Sequence, residues 1–188
     1  MTGSSDQPRG GRALHPPLTD FPIAAYIFAA AFDVISAIGG PHRSWATQLW
    51  HAGTFVLIGG LALCLLTMLS GFVDLLRFPV SRPRVNRLIA AHVATMAGVF
   101  MIGAGDIAWR LSEYQTQSST PAGILLLSLL AAAGVSAGAA CGGTLVFRHG
   151  VGVTAVRNPG GAEAVPPVRA AVVATPDQAA RHRLRRGR

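Results

Sequence analysis

The sequence predicts an all-α fold, a bundle of four transmembrane helices flanked by disordered N- and C-terminal tails. Three observations lead there. Charge is scarce: of 188 residues, 51% are apolar and 13% charged, about half the charged share of an ordinary soluble domain. Charge is also unevenly placed. Apart from Asp33, no Asp, Glu, Lys or Arg occurs in 21–42, and none at all in 44–73, 88–105 or 114–147. Uncharged apolar stretches of about 18 residues or more read as membrane-spanning helices. Breakers then separate these stretches: Gly39-Gly40-Pro41, Pro79 with Pro83, and the Ser/Thr/Gln-rich run 112–121. The pattern excludes an ordinary soluble enzyme. Two cysteines, each inside an apolar stretch, exclude a secreted disulfide scaffold.

Taken in order, residues 1–14 are polar and too poor in apolar side chains to build a core, so they read as a disordered cytoplasmic lead. They are no secretory signal, because the first apolar run starts only near Phe21 and is long enough to span. The first span covers about 21–39. The second covers about 47–76, roughly 45 Å at 1.5 Å per residue, so it must tilt in or project from a hydrocarbon layer about 30 Å thick. The third covers about 85–111 and the fourth about 121–147, within a membrane domain of 15–153. The Pro/Gly/Ala/Arg-rich remainder, 154–188, lacks periodicity and reads as a disordered basic cytoplasmic tail.

Orientation follows from the arginines. All sixteen basic residues are Arg, and the net charge is +8. With four spans, fourteen of them fall on one side and only Arg43 and Arg110 on the other. Under the positive-inside rule both termini are then cytoplasmic. Trp45, Trp50 and Trp109 all fall at the outer ends of spans, the headgroup level where amphipathic rings settle. No aromatic residues are interleaved with the arginines of 181–188, so the basic tail is expected to rest on anionic headgroups rather than on nucleic acid.

Within the third span His92, Met96, Val99, Gly103, Asp106 and Arg110 recur at steps of three and four and share one face. An ionisable stripe cannot cheaply face lipid, so this face should look into the bundle. Asp106 and Arg110 can pair within the helix, and Arg110 reads as an anchor at the outer helix end. Counting from the outer boundary places Asp33, His51 and Asp106 at one depth. Such a layer can bind a metal, relay protons, or hold helices together by hydrogen bonds. A second layer towards the cytoplasm contains His15, Asp20, Asp74, Asn86, His92 and His149. By position alone, His15 and His149 read as headgroup contacts, and Asp74 as a cap or a partner of Arg77. A b-type haem needs two imidazoles at one depth on facing helices. His51 and His92 lie near opposite faces, so each would need an interfacial partner, His42 for the outer and His15 or His149 for the inner. Gly134, Gly138 and Gly142 in the fourth span, and Gly53, Gly60 and Gly71 in the second, read as close-packing stripes. No phosphate-binding loop, zinc-protease helix, Cys-x-x-Cys or dinucleotide fingerprint is present.

Four motifs carry a resemblance. They are His15-Pro16-Pro17-Leu18-Thr19-Asp20-Phe21-Pro22, Ser70-Gly71-Phe72-Val73-Asp74, His92, and the run from Gly142 through Arg148-His149-Gly150 to Val153. Together they resemble the bacterial membrane family known as domain of unknown function 2231, over about 15–153. The family commonly has Tyr where this chain has Phe147, and often a second His where it has Asp20. The resemblance implies a bacterial plasma-membrane location and puts weight on His15, Asp74, His92, Arg148 and His149. Some relatives resemble fusions of this unit to a Rieske-type iron–sulfur domain, which implies electron transfer; this chain has no Cys-x-His pair.

Two functional expectations result. One is a redox membrane subunit, more in need of a partner protein or a second copy than an enzyme alone. His92, His15, His149 and His51 are then the candidate haem ligands, and Asp33, Asp74, Asp106, Arg110 and Arg148 the polar core. The other is a membrane scaffold or assembly protein whose buried polar residues only specify packing. A proton-coupled transporter fits less well, because four spans show neither an inverted repeat nor a broken helix.

Overall fold

A computed structural model describes residues 15–77, 80 and 82–151. The expected lead at 1–14 and the basic tail at 154–188 lie outside the described residues. Five helices follow one another: α1 (His15–Leu18), α2 (Asp20–Gly39), α3 (Ser44–Arg77), α4 (Pro83–Glu113) and α5 (Ala122–His149). There is no strand among the described residues. α2 to α5 match the four expected spans to within about three residues at each end, and all four are long and apolar enough to cross a membrane.

Their ends follow from local chemistry. α2 stops where Gly40 turns to a positive φ of 68° and its N–H donates to the Ser36 carbonyl at 3.1 Å, a conformation only glycine adopts without strain. α4 starts with Pro83, whose missing N–H and fixed φ suit a first turn. α5 ends at Gly150 (φ 65°), and the N–H groups of Gly150 and Val151 donate back to the carbonyls of Val146 and Leu145. α1 is the element the sequence did not announce. Pro16-Pro17 reads as a breaker, yet prolines are tolerated in a helix's first turn because those N–H groups have no intrahelical partner.

The four long helices alternate in direction. α2 packs on α3 and α5, and α4 packs on α5 and α3, so the order around the bundle is α2-α3-α4-α5. The seams are made by glycine. A Cβ on Gly60 would stand 2.7 Å from that of Ala25, and one on Gly134 would stand 2.7 Å from Val99 Cγ2. The core is Tyr26, Ala29, Leu57, Cys64, Val99, Ala131 and Val135. Outside, the pattern inverts that of a soluble protein: Phe21, Phe28, Phe55, Phe72, Leu76 and Met101 point away from the bundle, and Ile38 is 80% exposed. Burying large side chains like these is worth about 1.5–3 kcal/mol each relative to water, and here lipid rather than protein is what can cover them.

Candidate functional site

Two polar sites occupy opposite ends of the bundle. Along α4, His92 and Arg110 are eighteen residues apart, about 27 Å at 1.5 Å per residue.

At the Arg110 end, all four long helices send polar side chains to one point. Asp33 comes from α2, Thr54 from α3, Asp106 and Arg110 from α4, and Ser128 from α5; Asp33, Asp106 and Arg110 are completely buried. Arg110 Nε donates to Asp106 Oδ1 at 2.9 Å. Its NH2 group donates to Asp33 Oδ2 and to Ser128 Oγ at 2.7 Å, and NH1 reaches Thr54 Oγ1 at 3.3 Å. Thr120, in the α4–α5 connection, donates to Asp33 Oδ1 at 3.1 Å. The Trp50 ring closes the cluster, its centre 5.0 Å from the guanidinium carbon. Ser36 ties the surrounding turns, donating to the Ala46 carbonyl at 2.7 Å and accepting the Thr120 N–H at 3.1 Å.

Three expectations change here. Arg110 is no anchor at the membrane surface, because two carboxylates draw its long side chain inward. Trp50 is no headgroup residue: it is fully buried, while Trp45 and Trp109 keep 43% and 45% of their surface. His51 is not part of the Asp33–Asp106 layer. Trp50, Gly53, Thr54 and Leu57 form the inward stripe of α3, and His51 lies about 100° round the helix from Trp50, where its ring stacks on Tyr114 at 4.4 Å. Thr54, Thr120 and Ser128 were not singled out from the sequence.

At the His92 end, α1 packs on α3 and α2, and the His15 ring meets His92 of α4. Asp74 Oδ2 accepts the His15 backbone N–H at 2.9 Å. His15 Nδ1 lies 2.8 Å from the Thr67 carbonyl, and His92 Nδ1 lies 2.9 Å from the Gly138 carbonyl of α5. A carbonyl only accepts, so both Nδ1 atoms carry the proton, and in the neutral rings both Nε2 atoms keep a free lone pair. The ring centres are 6.2 Å apart, at an interplanar angle of 80°. Each ring rests on a glycine: a Cβ on Gly71 would stand 2.8 Å from His15 Nδ1, and one on Gly142 would stand 3.1 Å from His92 Cε1. Both rings border an almost wholly apolar cavity of about 330 Å³, with Cys64, Met68, Met96 and Val135 in its wall. His149 and Arg148 are not brought to this cavity's wall; Arg148 is exposed, and the His149 carbonyl accepts from Arg82 NH2 at 2.8 Å.

The fold, with one buried and one half-buried polar site, defines a polytopic α-helical membrane protein of four spans. Over residues 11–155 the chain matches the family described as "Predicted membrane protein (DUF2231)", and it belongs to that family. No curated protein and no solved structure matches it.

Proposed function

We propose that this protein is an electron-transfer subunit of a bacterial plasma membrane, in which His15 and His92 would hold a b-type haem. The observation that carries this reading is the pair of imidazoles, one on α1 and one on α4, tied by Nδ1 to backbone carbonyls beside one apolar cavity. Such a tie is the usual device that fixes the ring and tautomer of a metal-ligating histidine. The two ring centres lie 6.2 Å apart, so one bound group would meet both imidazoles.

The donor set also discriminates among groups. Among the described residues no three His, Cys, Asp or Glu side chains converge as a metal site. Two imidazoles leave a bare divalent ion short of ligands, whereas a porphyrin brings nitrogens of its own and would need only His15 and His92 from the protein. When bound, haem supplies one-electron chemistry. The chain's part is to hold both rings, exclude water with an apolar wall, and keep Nδ1 of each ring occupied. Gly71 and Gly142 let the rings lie this close to α3 and α5. The arginine distribution supports an orientation with both termini cytoplasmic, which would put this cavity in the inner leaflet, and the tail's positive charge would favour anionic headgroups. A redox partner protein is needed on either side of such a step.

A scaffold reading is favoured by one observation, the Asp33–Arg110–Asp106 cluster, which with Thr54 and Ser128 links all four long helices and so specifies their packing. One experiment separates the two. Protein purified in detergent from haem-replete cells is recorded oxidised and reduced. A Soret band that shifts on reduction, is lost or converted to a five-coordinate form in His15→Ala and His92→Ala, and survives unchanged in His51→Ala supports electron transfer. Folded but colourless wild-type protein refutes it and leaves the scaffold.

A further inference from the structure

The hydrogen atoms at the Arg110 end do not add up with both carboxylates ionised. Ser128 Oγ has three polar neighbours: Arg110 NH2 at 2.7 Å, Asp33 Oδ2 at 2.6 Å and Asp106 Oδ2 at 2.9 Å. The guanidinium can only donate, so Ser128 accepts there. The hydroxyl then has one hydrogen for two carboxylate oxygens, and while ionised each of those can do nothing but accept. One contact is left as two facing lone pairs unless a carboxyl brings its own hydrogen. Charge gives the same answer independently. Two carboxylates and one guanidinium, all completely buried, leave one uncompensated negative charge in a bundle surrounded by hydrocarbon, where such charge is expensive.

We propose that the cluster is a proton-binding site that holds one proton, on Asp106 Oδ2, donated to Ser128 Oγ. The two aspartates are not equivalent. Asp33 receives Arg110, Ser128 and Thr120, and its 2.6 Å contact with Ser128 is the length of a hydroxyl donating to an ionised carboxylate. Asp106 receives Arg110 Nε at Oδ1 and meets Ser128 at 2.9 Å. The hydrogen bonds then run in one direction, from Asp106 to Ser128 to Asp33, and Asp33 with Arg110 forms the ion pair. On binding, one proton from water adds to the Asp106 carboxylate to give the neutral acid, and the cluster's charge goes from minus one to zero. The other groups facing it are uncharged: Ser36 on α2, Trp50 and Thr54 on α3, and Thr120. The nearest further titratable group is Tyr26, whose ring packs on Gly103, one turn from Asp106. Its buried hydroxyl has no nitrogen or oxygen partner among the described residues, and Cys64 lies in the same core. This inference is independent of what the His15–His92 cavity holds.

Infrared difference spectroscopy of the full chain in lipid reads it directly. The wild type is expected to show a protonated-carboxyl C=O band at neutral pH that shifts in D2O and with carbon-13 aspartate. Asp106→Asn removes the band, since its amide takes the acid's place as donor to Ser128. Asp33→Asn also removes it, because Asp106 must then ionise to pair with Arg110. Asp74→Asn keeps it. A folded wild type without the band overturns the proposal even if no variant folds, and so does a band that survives in Asp106→Asn.

Discussion

Arg110→Met is the most informative single substitution, because methionine fills much of the arginine's volume while removing every donor. Four hydrogen bonds disappear, to Asp106, Asp33, Ser128 and Thr54, together with the stacking on Trp50. At the average of about 0.6 kcal/mol for a hydrogen bond inside a membrane, those four give roughly 2.4 kcal/mol. Removing one partner of a completely buried ion pair leaves a charge without compensation, typically about 3–5 kcal/mol. The expected loss therefore lies between about 2.5 and 5 kcal/mol. It is measured by reversible unfolding in mixed micelles, titrating with SDS and following helix content. A double-mutant cycle with Asp33→Asn isolates the pair and should return a coupling of about 1–3 kcal/mol. A loss below about 1 kcal/mol, the range of a solvated surface pair, would refute the reasoning, since it requires water or lipid headgroups to reach a fully buried guanidinium.

Other substitutions test the rest of the packing. Gly71→Ala drives a methyl group into His15 and should lower stability by about 1–3 kcal/mol. Gly59→Ala meets nothing within 4 Å and should be neutral or slightly stabilising in the same unfolding assay. Tyr26→Phe deletes a buried hydroxyl without a nitrogen or oxygen partner, so stability should hold or rise by up to about 1 kcal/mol; a loss above 1 kcal/mol in the same titration would show that the hydroxyl is bonded. His51→Ala should cost no more than about 0.5–1.5 kcal/mol, the value of one stacked ring pair with Tyr114, and should leave any spectrum arising at His15 and His92 unchanged.

The bundle was legible because lipid imposes a coarse rule, long uncharged runs ended by Gly and Pro, and that rule survives without knowing any contact. The α4 stripe was legible for the same reason, since one helix's periodicity decides which side chains share a face: Val99, Gly103, Asp106 and Arg110 are all buried. What spacing does not contain is azimuth between helices. Trp50 and His51 are adjacent and equally plausible at one depth, yet one faces Arg110 and the other Tyr114. Nor does spacing tell how far a long side chain reaches, so Arg110 at a helix end looked like a surface anchor although two carboxylates deeper in the bundle hold it. Ser128 and Thr54 carried no signal above the many hydroxyls of membrane helices, and only the convergence of four helices distinguishes them. By position alone His15 reads as a headgroup contact, because spacing does not show where the chain ahead of the first span lies. A single turn of helix, with Asp74 accepting its first N–H, is what carries His15 over to His92.

The central claim is that His15 and His92 form one two-sided ligand pair. Titrating haem into purified haem-free protein in detergent tests it most directly. One haem per chain, with a low-spin six-coordinate spectrum that either His15→Ala or His92→Ala converts to five-coordinate or abolishes, is the predicted result. Failure of the folded wild type to take up haem, or an unchanged six-coordinate spectrum in either variant, would contradict it.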